Sequence, residues 1–377
     1  MGSRGLEGIV AARTTLSHVD GEQGRLVYGG YEIEDLAEHA SFEEVCHLLW
    51  FGELPTAGQL EALRGQLATG GAVDERVLDV VRAAPPGAHP MSTLRTAVSA
   101  LGLVDPDEDD NSADATLRKA IRLTAQAGTL TAAIDRLRHG HDALAPRPEL
   151  SLAANLLYML NGEAPDELAE RIIDAALILH AEHGMNASTF AARVTAATFS
   201  DLHSAVTSAI GTLKGPLHGG ANEQVMRMLL EIGTADAAGA YVREKLTAGG
   251  KVMGFGHRVY RTTDPRAPIL KRLAERLERQ GGDTRWLQIS ERIQQAVREQ
   301  MDRKGKRIYA NVDFFSASVY YTLGIPLDLF TNVFACARMA GWTAHVMEQY
   351  ADNRLIRPAS EYVGPQGRTV RPIQERS

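Results

Sequence analysis

Along most of the chain, apolar positions recur at steps of three and four residues, the period of an amphipathic helix. In segment 167–183 the residues Leu168, Ile172, Ala175, Ala176 and Leu179 share one face. Segments 42–51, 117–137, 222–232 and 269–277 carry the same pattern. Strand-like alternation is scarce. It is clearest at 8–15 and 24–28, where glycines and β-branched residues predict two short extended pieces. The pattern therefore predicts a mainly α protein.

The breaks between helices are distinctive. Residues 105–111 (Asp-Pro-Asp-Glu-Asp-Asp-Asn) predict an acidic, solvated turn, and 141–148 a proline-bearing loop. Segments 214–221 and 249–258 are glycine-rich interruptions, each holding one histidine. Pro326 follows a buried-looking helix, and 354–367 reads as an irregular tail. No internal repeat points to a solenoid.

At 377 residues the chain exceeds one ordinary core and suits two domains or one large one. With 44% hydrophobic and 23% charged residues, it is neither disordered nor fibrous. Its 47 acidic against 40 basic residues give a net charge of -7, so nucleic-acid binding has no global electrostatic support. An anionic ligand must be met by a local basic cluster. No apolar run reaches the roughly 18 residues of a spanning helix, which predicts no membrane association. The first ten residues include Arg4 and Glu7 and lack the apolar core of a signal peptide. Cys46 and Cys336 are too few for a disulfide framework. These features together predict a reducing, cytoplasmic setting.

Several residues invite chemistry. His218, in Gly-Pro-Leu-His-Gly-Gly-Ala-Asn, is flanked by glycines that let a backbone approach a ligand. A helix is predicted just beyond it, with Asn222 as cap, and a helix N-terminus favours neutral imidazole. Such a histidine is either a hydrogen-bond donor to a developing enolate or a turn residue. His257, in Gly-Phe-Gly-His-Arg, lies among Lys251, Arg258, Arg261 and Arg266, which with free backbone N–H groups predict an anion-binding rim. Asp313, in Asn-Val-Asp-Phe-Phe-Ser, either caps a helix or is desolvated and made more basic. His180 and His183 sit three apart at a helix end, but without a His-Glu-x-x-His pattern or paired cysteines no metal is expected. Arg338 lies on a helix whose other residues look buried, so its guanidinium needs an anionic partner: a structural carboxylate or a substrate's. Arg357 stands in a sparse apolar setting.

Taken together, segments 180–189, 215–223, 254–266, 311–315 and 335–345, with the opening 5–9 and 25–31, closely resemble the citrate synthases and the related 2-methylcitrate synthases. The resemblance spans nearly the whole chain. It implies an all-α fold: a large helical domain of residues 1–219 and 326–377, and a smaller inserted helical domain, 220–325, closing over a cleft. It implies condensation of acetyl-CoA with oxaloacetate and water to citrate and CoA, through an enol and citryl-CoA; propionyl-CoA is the alternative substrate. A catalytically silent CoA-binding relative is a further alternative, against which the complete catalytic set counts. By the same resemblance Asp313 removes the methyl proton, His218 stabilises the enolate and His257 polarises the ketone. Oxaloacetate falls to His183, Arg266, Arg338 and Arg357, the last reaching across a homodimer. Coenzyme A, a co-substrate and no resident cofactor, falls to Val252, Met253, Gly254, Phe255 and Gly256, with Arg258, Arg261 and one of Lys306 or Arg307 near its phosphates. Some bacterial relatives carry an extra N-terminal β-rich region linked to NADH inhibition and hexamers. Here the family-like motif starts within about ten residues of the first, which implies a dimer without NADH control.

Overall fold

Start and stop signals written in the sequence set the helices. A computed structural model describes residues 4–6, 8–281 and 283–376. A short antiparallel sheet, β1 (Ser17–Asp20), β2 (Arg25–Tyr28) and β3 (Tyr31–Glu32), precedes α1 (Ile33–His39). α2 (Phe42–Phe51) opens on a reciprocal capping box, Ser41 with Glu44, and closes on Gly52 in the left-handed region at φ 84°. α3 (Ala57–Gly70) uses Thr56 and Gln59 in the same way. α4 (Glu75–Arg82), α5 (Pro90–Gly102) and the 26-residue α6 (Ala113–Arg138) follow. Next come α7 (Leu152–Asn161), α8 (Glu167–Ala181), α9 (Ala187–Ala196) and α10 (Leu202–Leu213). α11 (Ala221–Ile232), α12 (Ala235–Thr247), α13 (Arg266–Arg279), α14 (Arg285–Asp302) and α15 (Val312–Thr322) lead to α16 (Phe330–Ala351) and an extended tail.

The predicted helices are all present. The sheet differs: 8–15 is irregular, and the first strand is Ser17–Asp20, with Ser17 opposite Tyr28 and Val19 opposite Leu26. Asp20 explains the shift. Its Oδ1 accepts from the N–H groups of Glu22 and Gln23, closing a turn that fixes register from residue 20 outward.

α16 is buried over nearly its full circumference from Phe330 to Val346, the signature of a central helix. α6, α8, α9, α10 and α2 pack around it. α11–α15 pack largely among themselves, α12 on α14 and α13 on α15, with α11 also touching α16. Loop 249–264 meets the hairpin turn at the start of the chain: the Arg261 N–H donates to the Gly21 carbonyl at 2.8 Å. A Cβ at Gly21 would stand 2.3 Å from the Val259 carbonyl oxygen, so only glycine permits this approach.

The turn at 105–111 corrects the sequence expectation. It is not solvated. Asp105 is gripped by Arg122, and Asp107 by Arg118 and Arg122. Lys119 donates to the carbonyls of Glu108 and Asp110 at 2.9 and 2.7 Å. Arg118, Lys119 and Arg122 occupy one side of α6, and the acidic turn folds down onto it.

Candidate active site

His218 lies in the turn before α11, but the helix start that it meets belongs to α9. The Ser188 N–H, in the first turn of α9, points at His218 Nε2 at 3.3 Å, and the Ser188 hydroxyl lies 2.8 Å from the same nitrogen. A backbone N–H can only donate, so Nε2 accepts and the imidazole proton resides on Nδ1. The hydroxyl is held by Trp342 Nε1 at 3.1 Å and Asn186 Oδ1 at 2.7 Å. Burial, reinforced by the Arg338 charge, pushes His218 down to about 4. Asn222 does not cap α11. Gly220 occupies that position, and Asn222 is fully buried in the helix's first turn.

His257 shows the complementary arrangement. Its Nδ1 accepts from the N–H groups of Val259 and Tyr260 at 3.0 and 3.1 Å, which leaves the proton on Nε2. Burial and the Arg266 charge push it down to about 4. His183 packs edge-on to His257, with ring centres 5.4 Å apart, and its Nε2 lies 3.1 Å from the Tyr260 hydroxyl. Burial, then Arg266, His257 and Arg338, hold His183 well below the usual imidazole range.

Asp313 lies in the first turn of α15. Asn311 takes the capping role, accepting from the Asp313 N–H at 3.1 Å, so the Asp313 carboxylate is free of it. Burial is the main force pushing Asp313 up to about 7; Asp264 adds to it, while Arg266 and Arg338 oppose it.

The two guanidiniums tie these groups together. The Arg266 charge acts on His183, His257 and Asp313, and that of Arg338 on His183, His218 and Asp313. Arg338 is 1% exposed; its Nε donates to the His180 carbonyl at 2.6 Å, and its guanidinium lies 4.8 Å from the Phe334 ring centre. Among the described residues no carboxylate comes within ion-pair distance of it. The charge that most offsets it, Glu182, is bound instead to His345 and Ser17 at 3.0 Å each. Arg266, by contrast, is already forked onto Asp264 at 2.9 and 2.8 Å. It is buried beneath the loop and takes no part in the expected surface rim. Asp264 also accepts from the Val312 N–H at 3.2 Å, which joins Arg266 to the start of the Asp313 helix.

The glycine-rich loop is partly spent on its own folding. Gly256 N–H donates to the Tyr309 carbonyl at 2.8 Å, the Gly254 carbonyl accepts from Asn311 N–H at 2.9 Å, and Asn311 Nδ2 reaches the Gly256 carbonyl at 3.0 Å. The backbone rim expected from the sequence is therefore narrower than predicted. Val252 is buried, Met253 and Phe255 are half-buried, and Lys251, Arg258 and Arg261 are exposed. Beside the loop, a cavity of about 210 Å³ opens between His257, Arg261, Arg307 and Asn311. A second, of about 440 Å³, carries Arg298, Lys306 and Arg307. Arg357 lies exposed in the tail.

The family model for the citrate synthase C-terminal domain matches residues 5–359. The chain belongs to the citrate synthase family. Relatives within that family include the citrate synthase of Haloferax volcanii, 50% identical, covering 99% of this chain and 98% of the relative. Citrate synthase 2 of Bacillus subtilis is 49% identical, covering 100% and 99%. The fold is that of the family as well. The citrate synthase of Thermoplasma acidophilum, solved as a ternary complex with carboxymethyl coenzyme A and oxaloacetate, superposes with a TM-score of 0.92 at 34% identity, covering 99% of both chains. 2-Methylcitrate synthases also match, at 44% identity for that of Mycobacterium tuberculosis. The chain is thus an enzyme, a transferase of the citrate synthase type.

Four residues that the sequence reading did not single out support the site: Ser188, Tyr260, Asp264 and Glu182. Asp264 had a visible signal, standing two residues before Arg266 across a proline. Ser188 had none beyond its place at a helix start.

Proposed function

We propose that this chain condenses acetyl-CoA with oxaloacetate and water, giving citrate and CoA through an enol and citryl-CoA. The observation that carries the reading is the pair of neutral imidazoles with opposite tautomers. Each has one nitrogen accepting from backbone N–H and the other left as a donor, and the two guanidinium charges that act on them, Arg338 on His218 and Arg266 on His257, both act on Asp313, a carboxyl of raised pKa. In this scheme Asp313 removes a methyl proton from acetyl-CoA while His218 Nδ1–H donates to the thioester oxygen, stabilising charge as it develops. His257 Nε2–H donates to the ketone oxygen of oxaloacetate as the carbon–carbon bond forms. Arg338, His183 and the remaining Nη1 of Arg266 receive the carboxylates, with Arg357 supplied by the partner of a homodimer. The Thermoplasma acidophilum relative was solved with carboxymethyl-CoA and oxaloacetate, the two ligand classes this scheme requires.

Coenzyme A is assigned to 252–256, with Arg258, Arg261 and the basic cavity at Lys306 and Arg307 near its phosphates. Residues 220–325 are assigned to an inserted domain that closes over the remainder, excluding water during condensation. The 2-methylcitrate synthase reading keeps the same residues and differs in the room around the acyl methyl, a difference of about 1–3 kcal/mol per methylene. Steady-state release of free thiol, with oxaloacetate and either acetyl-CoA or propionyl-CoA, decides between them. The expected result is a higher kcat/KM for acetyl-CoA. Equal or faster turnover of propionyl-CoA overturns the assignment.

A further inference from the structure

Away from the chemistry, the connection between α5 and α6 folds Glu108 against the start of α10, where Asp201 caps the helix and His203 follows. One ligand atom from each of these three residues lies within 4.8 Å of the other two. His203 is 2% exposed, and neither ring nitrogen makes a hydrogen bond; the buried Glu108 Oε2 makes none either. Nδ1 stands 2.6 Å from that oxygen, yet not in hydrogen-bonding geometry. Lys119, the ammonium close to the cluster, is committed to backbone carbonyls. Two half-buried carboxylates and a buried imidazole in mutual contact call for a compensating cation or proton.

The surroundings look built for a ligand. A Cβ at Gly102 would stand 2.3 Å from Glu108 Oε1, so glycine makes room for the carboxylate to turn inward. On the far side of the imidazole, Asp105 Oδ2 lies 3.6 Å from His203 Nε2, and Asp105 is itself held by Arg122 Nε and Nη2 at 2.9 and 2.6 Å. A carboxylate behind an imidazole orients its other nitrogen toward a metal.

We infer that Glu108, Asp201 and His203 form a site for one divalent transition-metal ion of the zinc class, clamping the α5–α6 connection to the start of α10. One nitrogen and two carboxylate oxygens suit such an ion, with water completing the shell. Metal–ligand bonds of about 2.0–2.1 Å would set neighbouring ligand atoms roughly 3.3 Å apart, so the Glu108–His203 contact widens on binding. The 12 residues of α10 put about 18 Å of helix between this site and the His218 turn, which makes the role structural.

The test titrates Co²⁺ into full-length protein freed of metal by chelator, following the visible d–d bands, then adds Zn²⁺. One Co²⁺ per chain is expected, displaced by Zn²⁺, together with a higher melting midpoint when metal is bound. Glu108→Gln and His203→Gln should each weaken binding at least tenfold while helicity by circular dichroism is kept. If His203→Gln does not fold, Glu108→Gln alone decides. Absence of saturable uptake means that protons alone fill the cluster and overturns the inference. Binding that survives Glu108→Gln places the ion elsewhere and does the same.

Discussion

Asp313, His218 and His257 are separated in charge behaviour by burial. It pushes the carboxyl up to about 7 and both imidazoles down to about 4. Near neutral pH the carboxyl is therefore the group of the three that changes charge. A carboxyl whose folded pKa is raised stabilises the fold below its unfolded value near 4, and that contribution is lost as pH rises through about 7. Asp313→Asn removes this loss along with the proposed base. The variant should lose most of its turnover, about a hundredfold or more, and melt above the parent at pH 8, with the two midpoints converging toward pH 5. Equal midpoints at pH 8 would show that the carboxylate is not desolvated. The sequence had left Asp313 open between helix cap and base; Asn311, two residues earlier, takes the cap and leaves the carboxylate free of that role. Arg338 was likewise open between a structural and a substrate carboxylate. Its lack of an ion-pair partner among the described residues is a fact of packing that no local pattern carries.

The glycine-rich loop shows how an element can be legible in kind and unreadable in use. Its glycines announced an irregular, closely approached backbone, and Gly254 does adopt φ +77°, with Phe314 and Val225 within 2.9 Å of where a Cβ would stand. What the sequence did not convey is that the close neighbour is the α15 start and the strand-like stretch at 309–311, with which Phe255 pairs through Ala310. Gly254→Ala should therefore cost both backbone strain and a clash with α15, roughly 2–4 kcal/mol. Urea unfolding measures it; a change below about 0.5 kcal/mol would mean that the loop yields freely. The turn at 105–111 teaches the converse. Its composition reads as fully solvated, yet Asp105 and Asp107 are held by cations of α6 placed beneath the turn, and only the helical period combined with the tertiary fold places them there.

Arg357 stands exposed at the end of the chain, which fits a role across a subunit boundary better than one within its own subunit. Arg357→Ala and Asp313→Asn chains, each nearly inactive, should regain activity when unfolded together and refolded. In an equal mixture about half of the dimers are mixed, each with one intact site, so recovery should approach about a quarter of parental activity. No recovery would place Arg357 in its own subunit's site. The order of helices and the motifs were largely readable from the sequence, since each depends on neighbours in the chain. Which distant segments meet was not. Thr15 donates to Glu348 across 333 positions, at 2.8 Å from its N–H, and Arg338 enters the site from the last helix. On the proposed assignment a ribosome-bound chain therefore stays inert until nearly all of it has emerged, and a product cut short before α16 keeps His218, His257 and Asp313 but lacks Arg338 and the helix around which α6, α8, α9 and α10 pack.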